Sequence, residues 1–291
     1  MYEKFKGIFP ALLTPFHDDG SINFDALETL VERLISQGVK GFYVDGSTGE
    51  AFLLSTEERK ALIKAVAAFT KGRVTLIAQI GSVCLGDAIS LAQCARDAGY
   101  DAISSVPPFY YKFSFDEIKR YYYAIVEAVD LPMLIYNVPL YTGVSFSAEQ
   151  ISEFLRDDRF IGVKHTSSDF FALRQFRTAF PDKVMLNGYD EMLLAGLSLG
   201  ANGAIGSTYN FMPEKFIRIY NCFNEGKLEE AARLQEEADK IIAALCRVGV
   251  MQSEKAILTK LGIPMGALRA PFIDITPEQK EKLFTEVLPL L

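Results

Sequence analysis

Short apolar runs alternate with longer amphipathic segments along the chain as far as Gly206, and the alternation repeats eight times. The short runs have no polar face, whereas the longer segments carry apolar residues at helical spacing. Strands that are apolar on both faces and are separated by helices pair in parallel through βαβ crossovers. The pattern predicts strands over residues 7–13, 41–44, 74–80, 102–106, 132–137, 161–164, 184–187 and 204–206.

The segments between these strands carry the start and stop signals of helices. Ser55 followed by Glu58 is typical of a capping box, and Ser114 is a predicted N-cap. Glycines stand where helices should end, at positions 38, 72, 99 and 200. The clearest predicted helices cover residues 24–36, 56–69, 86–98 and 115–129. Eight regular units favour closure into a (β/α)8 barrel over a doubly wound open sheet.

The pattern changes after Phe223, where three helices are predicted over 227–248, 254–261 and 277–288 with no strand between them. We therefore predict an α/β protein in which residues 1–223 form a catalytic TIM barrel and residues 224–291 form a C-terminal helical appendage. Such an appendage could cover one end of the barrel or build a contact between subunits.

Composition narrows the choice of partners. The 291 residues are 49% hydrophobic and carry a formal net charge of −7. This predicts a folded, soluble protein and argues against nucleic acid or an anionic membrane surface as a partner. No apolar run approaches the roughly 18 residues of a membrane span, and the N-terminus has no signal-peptide core. Four scattered cysteines suit reduced thiols, so we expect a cytoplasmic protein.

The sequence lacks the motifs that usually bind transition metals or nucleotide cofactors. Only two histidines are present, His17 and His165, and neither belongs to a metal-ligand motif. Phosphate-binding glycine loops of the P-loop or dinucleotide type are also missing from the sequence. We therefore expect chemistry without a metal or nucleotide cofactor, although an all-carboxylate magnesium site stays open.

In a barrel of this kind the active site lies where the strands end, so the residues after each apolar run are candidates. Lys164 ends the predicted sixth strand. Partial burial there would lower the pKa of its amine and leave a nucleophile that can form an imine with a carbonyl. The alternative is a lysine that extends into solvent or pairs with a carboxylate.

Two neighbouring features fit such a nucleophile. Tyr136 ends the adjacent fifth strand and could relay a proton to a substrate oxygen, unless it is only a core tyrosine. Ser47 and Thr48 follow the second strand between two glycines, where hydroxyls and backbone N–H groups can converge on a carboxylate. A plain tight turn could use the same residues. Together with an imine-forming lysine, the turn predicts a 2-keto acid substrate.

Four motifs resemble the dihydrodipicolinate synthase and N-acetylneuraminate lyase superfamily. They are Gly-Ser-Thr-Gly-Glu at 46–50, Tyr-Asn-Val-Pro at 136–139, Lys164 within Gly-Val-Lys-His-Thr at 162–166, and Gly-Tyr-Asp-Glu at 188–191. The resemblance covers nearly the whole chain, including the C-terminal helices. It implies a class I aldolase in which Lys164 forms a Schiff base with pyruvate, Ser47 and Thr48 hold the carboxylate, and Tyr136 shuttles the proton.

The resemblance also implies an oligomer. In such proteins a tyrosine of the loop that here reads Pro-Pro-Phe-Tyr-Tyr, at 107–111, reaches toward the active site of a neighbouring subunit, and Tyr110 matches it. The usual assembly in the superfamily is a homotetramer. Tyr110 would then be a catalytic residue acting across the subunit interface.

The two branches of the superfamily differ in the second substrate. The synthase branch usually has an arginine where this sequence has Tyr141, and a phenol cannot replace a bidentate guanidinium. The lyase signatures match better, at 187–191 and 206–210. They imply that a sugar acid is bound by the following residues: Thr166, Gly188 through its backbone, Asp190, Glu191 and Ser207.

The resulting prediction is reversible retro-aldol cleavage of N-acetylneuraminate to N-acetylmannosamine and pyruvate. Asp190 and Glu191 could instead only favour a helix N-terminus, and Asp45 stands where lyases often have a small residue. The alternatives are another pyruvate-dependent 2-keto-acid aldolase, the synthase, or a non-catalytic binding or regulatory relative. An intact Lys164 argues against the last, because binding alone does not require a nucleophile.

Overall fold

The computed structural model describes residues 2–291; Met1, the first residue of the predicted barrel segment, lies outside the described residues. Eight parallel strands pair in the order β1-β8-β7-β6-β5-β4-β3-β2. The predicted (β/α)8 architecture is thus confirmed. The strands are β1 (Gly7–Pro10), β2 (Gly41–Val44), β3 (Thr75–Gln79), β4 (Ala102–Ser105), β5 (Met133–Asn137), β6 (Phe160–His165), β7 (Val184–Asn187) and β8 (Gly203–Gly206).

The barrel closes where β1 meets β2. Ala11 forms a parallel bridge with Tyr43, and the Leu12 N–H donates to the Tyr43 carbonyl at 2.9 Å. The first strand is shorter than predicted, because the Leu13 N–H donates to Asn210 Oδ1 at 3.1 Å and not to a neighbouring strand. Side chains that point inward from the strands, Phe9 and Tyr43 among them, fill the barrel as a packed core.

Within residues 2–291, twelve helices cover the outside of the barrel and continue beyond it. The helices are α1 (Phe24–Ser36), α2 (Thr56–Thr70), α3 (Leu85–Asp97), α4 (Phe115–Ala128), α5 (Pro139–Thr142), α6 (Ala148–Leu155), α7 (Phe170–Ala179), α8 (Leu193–Ser198), α9 (Pro213–Asn224), α10 (Leu228–Cys246), α11 (Val250–Lys260) and α12 (Pro277–Val287). Both predicted N-caps, Ser55 and Ser114, form complete capping boxes. The four predicted helix-end glycines all adopt positive φ.

The C-terminal helices pack onto the barrel and extend its core. Leu234 and Ile241 of α10 are fully buried in the same apolar layer as residues between the strands and their helices. Helix α11 begins four residues earlier than predicted, directly after Gly249, which has φ of 120°. It carries consecutive buried polar side chains, among them Glu254 and Lys255, toward the barrel. No helix within residues 2–291 is long and apolar enough to cross a membrane.

Candidate active site

A cavity of about 730 Å³ opens at the C-terminal ends of the strands. Its walls come from the barrel, from the loops after the strands, and from helices α10 and α11. Nine of the ten residues predicted from the sequence line it: Ser47, Thr48, Tyr136, Lys164, Thr166, Gly188, Asp190, Glu191 and Ser207. The structure therefore brings together residues that are up to 160 positions apart in the sequence (47 to 207).

An extra residue in β6 makes the Lys164 side chain point into the barrel. Consecutive residues Met133 and Leu134 of β5 pair with Phe160 and Gly162, so one residue of β6 is skipped at this bulge. The skipped Ile161 packs in the barrel interior, while Val163 two positions later packs outside it. Simple alternation from Ile161 would have placed Val163 inside and Lys164 outside. Because of the bulge, Val163 packs outside the barrel and Lys164 points into it.

The amine of Lys164 lies between two tyrosine rings. Its Nζ is 4.0 Å from the ring centroid of Tyr43 and 3.9 Å from that of Tyr136, and the side chain is 4% exposed. Burial lowers the pKa of Lys164 to about 7, and the Asp190 carboxylate opposes the fall only in part. A large fraction of the amine is therefore uncharged near neutral pH, as nucleophilic attack on a carbonyl requires.

Tyr136 and Lys164 are directly paired residues of adjacent strands. The Tyr136 ring meets that of Tyr43 edge to face, with the centroids 5.9 Å apart. Burial raises the pKa of Tyr136, while the nearby hydroxyls of Thr166 and Ser47 oppose the rise. The phenol is therefore protonated at neutral pH and lies beside the nucleophile, the arrangement needed for proton transfer to a substrate oxygen.

The turn after β2 leaves donors free for an anion. Within it, the Gly49 N–H donates to the Gly46 carbonyl and the Glu50 N–H donates to the Ser47 carbonyl, both at 3.0 Å. The N–H groups of Ser47 and Thr48 make no backbone hydrogen bond in the described chain. Both residues are half-buried at the cavity wall. Two N–H groups and two hydroxyls are therefore available to a carboxylate.

Asp190 is already anchored on one side. Its Oδ2 accepts hydrogen bonds from the Thr208 N–H at 2.8 Å and from the Thr208 hydroxyl at 2.7 Å. A side chain at Gly206 would collide with Oδ1, so this glycine is required by close approach. Burial raises the pKa of Asp190 to about 6. The neighbouring Glu191 is exposed and lines the cavity.

Two residues near the site were missed in the sequence reasoning. Tyr43 could have been found from the alternation of β2, which points it inward between Phe42 and Val44. Glu254 has no such signal: it is fully buried on α11, and neither carboxylate oxygen has a hydrogen-bond partner of regular geometry in the described chain. Burial raises the pKa of Glu254 to about 8, with the Ser207 hydroxyl opposing the rise.

Tyr110 is the one predicted residue that does not line the cavity. It is 84% exposed, has φ of 82°, and stacks edge to face with Tyr111 in the loop after β4. Its predicted role across a subunit interface therefore remains a prediction. Tyr141, in the position where the synthase branch has arginine, lies at the cavity wall, and the cavity has no arginine among its described lining residues.

Two further polar residues named from the sequence, Asp45 and His165, have internal partners. Asp45 is buried against Arg59, with Oδ2 2.7 Å from Nε, and burial raises the pKa of this carboxyl to about 6. His165 Nε2 lies 2.9 Å from the Asp169 carbonyl oxygen, and its Nδ1 lies 3.0 Å from Asn137 Nδ2. Burial lowers the pKa of this imidazole. Both residues support the walls of the site.

Known proteins resemble this chain over nearly its full length. The sequence model of the dihydrodipicolinate synthetase family matches residues 4–288. N-acetylneuraminate lyase from Rhizobium meliloti (strain 1021) is 45% identical over 288 residues, covering 99% of this chain and 96% of the relative. A crystal structure of CdNal from Clostridium difficile in complex with mannosamine has a TM-score of 0.97 at 40% identity, covering 99% of both chains. That of N-acetylneuraminate lyase from Fusobacterium nucleatum complexed with pyruvate has a TM-score of 0.94 at 40% identity, covering 99% of this chain and 98% of that one.

Proposed function

Because the chain belongs to the dihydrodipicolinate synthetase family, we propose that it cleaves N-acetylneuraminate reversibly to N-acetylmannosamine and pyruvate through a Schiff base on Lys164. Curated relatives that are 44–45% identical to it over nearly the whole chain are N-acetylneuraminate lyases. The chain is accordingly a carbon–carbon lyase of the class I aldolase type. The observation that carries the proposed mechanism is the buried Lys164 amine between Tyr43 and Tyr136.

The reaction follows from the chemistry of the imine. The Lys164 amine attacks the C2 carbonyl of the open-chain sugar acid, and water leaves to give a protonated imine. The Tyr136 phenol protonates the hydroxyl that leaves as this water, and the phenolate so formed then takes the proton of the C4 hydroxyl. The C3–C4 bond breaks, its electron pair moves into the imine to give an enamine, and C4 leaves as the aldehyde of N-acetylmannosamine. Protonation of C3 and hydrolysis of the imine then release pyruvate and regenerate the amine.

The carboxylate of the keto acid belongs at the turn after β2. Ser47 and Thr48 supply two hydroxyls and two uncommitted N–H groups at the cavity wall. Such a set can hold an anion without an arginine, which suits an acidic protein whose cavity has no arginine in its described lining. Lys164 then stands next to C2, the carbon that it must attack.

The polyol portion extends toward β7 and β8. Glu191 and Asp190 both line the cavity, and Asp190 Oδ2 is held by Thr208. Carboxylates accept hydrogen bonds from sugar hydroxyls, while Thr166, Ser207 and the backbone of Gly188 add further polar contacts. A synthase would need a cation for the carboxylate of its second substrate, and Tyr141 does not supply one.

The proposal includes a cytoplasmic homotetramer in which Tyr110 of one subunit completes the site of the next. Its support is the exposure of Tyr110 (84%) beside Tyr111 (64%), both outside the cavity of their own chain. Sedimentation should give the mass of four chains. A fully active monomer would rule out a role for Tyr110 across an interface.

The proposed substrate is tested by following pyruvate release from N-acetylneuraminate. We expect turnover by the unmodified protein and none by Lys164→Met. Pyruvate release from other 2-keto acids, but not from N-acetylneuraminate, would show that the protein is a different pyruvate-dependent aldolase. Condensation of pyruvate with aspartate semialdehyde as the only activity would assign the synthase, and no activity on any of them would favour a binding or regulatory protein.

A further inference from the structure

A buried ion pair joins helix α11 to the turn that carries Ser47 and Thr48. Lys255 Nζ lies 2.7 Å from Oε1 of Glu50, the last residue of the Gly-Ser-Thr-Gly-Glu motif. The two side chains are 3% and 0% exposed, and they are separated by 205 positions in the sequence. Buried ion pairs are rare because both charges lose their hydration, so this contact needs a reason.

Glu50 is held from two directions. While Oε1 accepts from Lys255, Oε2 accepts a hydrogen bond from the backbone N–H of Arg269 at 2.7 Å. The backbone of Glu50 has φ of 62°, the left-handed conformation that residues with a side chain avoid. Such a conformation persists only where the surroundings impose it. Here the anchored carboxylate and the hydrogen bond from the Glu50 N–H to the Ser47 carbonyl hold it together at the end of the turn.

Lys255, the cation of this ion pair, is also held by further contacts. Lys255 Nζ also donates to the Ala267 carbonyl at 3.2 Å and lies 4.3 Å from the ring centroid of Phe16. The Arg269 side chain binds Glu58 and donates to the Leu53 carbonyl at 3.1 Å. The C-terminal segment therefore contacts the chain from Glu50, at the end of the turn after β2, to Glu58 in α2.

We infer that Lys255 and Glu50 are positioning residues for pyruvate, through which the C-terminal helices fix the turn that binds the substrate carboxylate. The inference rests on the proposed function. The Glu50 N–H donates to the Ser47 carbonyl at 3.0 Å, which links Glu50 to the peptide unit that carries the Thr48 N–H. The Ala51 N–H, directly after Glu50, donates to the Gly46 carbonyl at 3.3 Å and so links Glu50 to the unit that carries the Ser47 N–H. These two N–H groups must converge on one carboxylate, and a misplacement of about 1 Å can lower the rate about a hundredfold.

The sugar half of the site offers an internal comparison. Asp190 and Glu191 follow β7, and Asp190 is tied to Thr208 after β8. Loss of the Lys255–Glu50 pair should therefore weaken pyruvate binding while leaving the affinity for N-acetylmannosamine nearly unchanged. A pair that only stabilises the fold would produce no such difference between the two substrates.

The test measures how fast borohydride traps pyruvate on Lys164 as the pyruvate concentration is raised. For Lys255→Met and for Glu50→Gln in the full-length protein, we expect the half-saturating pyruvate concentration to rise at least about tenfold. The half-saturating concentration of N-acetylmannosamine, measured in the condensation direction at saturating pyruvate, should stay within about twofold. In the double variant, the half-saturating pyruvate concentration should rise by less than the product of the two single-variant rises, because each single change leaves a buried charge unpaired.

Lys280→Met is the matched control, since Lys280 belongs to the same C-terminal segment and pairs with Asp274 at the surface at 2.7 Å. It should leave both substrate titrations unchanged. Unchanged pyruvate titrations in Lys255→Met and Glu50→Gln, with only a lower melting temperature, would overturn the inference. If Lys255→Met does not fold, Glu50→Gln alone decides, because it keeps the shape of the side chain. Absence of any adduct in the unmodified protein would instead refute the proposed function itself.

Discussion

Replacing Lys164 with methionine should make the protein more stable at neutral and acidic pH, although it removes the nucleophile. Lys164 is 4% exposed, and its Nζ faces the rings of Tyr43 and Tyr136. A buried ammonium has lost most of its hydration, and ring faces return only part of that free energy. Methionine fills a similar volume without a charge, so packing is kept while the cost of burying the charge disappears.

The size and the sign of the effect follow from the pKa of Lys164. Burial lowers this pKa from 10.5 to about 7. Because each pKa unit is worth about 1.4 kcal/mol, the charged form costs up to about 5 kcal/mol of folding free energy. The cost is absent above pH 10.5, where the amine is neutral in both states. It grows as the pH falls, and it is complete below about pH 7.

The assay is denaturant unfolding of the unmodified protein and of Lys164→Met at pH 6 and pH 10, at one protein concentration. We expect the variant to gain at least about 2 kcal/mol at pH 6 and about 1 kcal/mol at pH 10. Lys240→Met, which removes an exposed lysine paired with Glu236, serves as the control and should change little at either pH. A variant that is less stable at pH 6, or whose gain in unfolding free energy is the same at both pH values, would show that the buried charge of Lys164 does not carry this cost.

Three further predictions concern groups around the nucleophile. Tyr136→Phe should lower kcat for cleavage about 10²-fold to 10⁴-fold while pyruvate still forms its adduct on Lys164, because only proton transfer is lost; a loss below threefold in single-turnover cleavage would contradict this. Asp190→Asn should raise the KM for the sugar about tenfold, because a neutral amide replaces the charged acceptor for a sugar hydroxyl; equal losses in pyruvate adduct formation would argue against a sugar-binding role. Burial raises the pKa of Glu254 to about 8, so stability present below about pH 4.5 is lost as the pH rises to 8; Glu254→Gln should remove this slope in urea titrations, and an unchanged slope would contradict a neutral buried acid.

The repeating units of the barrel could be predicted because the signals are local. Strands β2 and β7 and helix α1 have the predicted bounds, and the capping residue Ser55 acts as its sequence context indicates. Each of these features depends on a few neighbouring side chains and on the periodicity of apolar positions. Closure follows from the number of units, so the place of Lys164 at the C-terminal end of β6 follows as well.

The geometry around Lys164 could not be predicted, because it depends on contacts between distant segments. The bulge at Ile161 decides that Lys164 points inward, and it is visible only in the pairing with β5. The ion pair between Glu50 and Lys255 joins positions that share no sequence pattern. Glu254 reads as an ordinary surface acid of a helix until the docking of α11 buries it. Such tertiary contacts override local propensity.

The Schiff base on Lys164 is tested most directly by incubating the protein with pyruvate and borohydride and mapping the adduct by mass spectrometry. We expect one reduced pyruvate adduct per chain, located on Lys164, with none formed in Lys164→Met. Failure to form an adduct, or an adduct on another lysine, would contradict it.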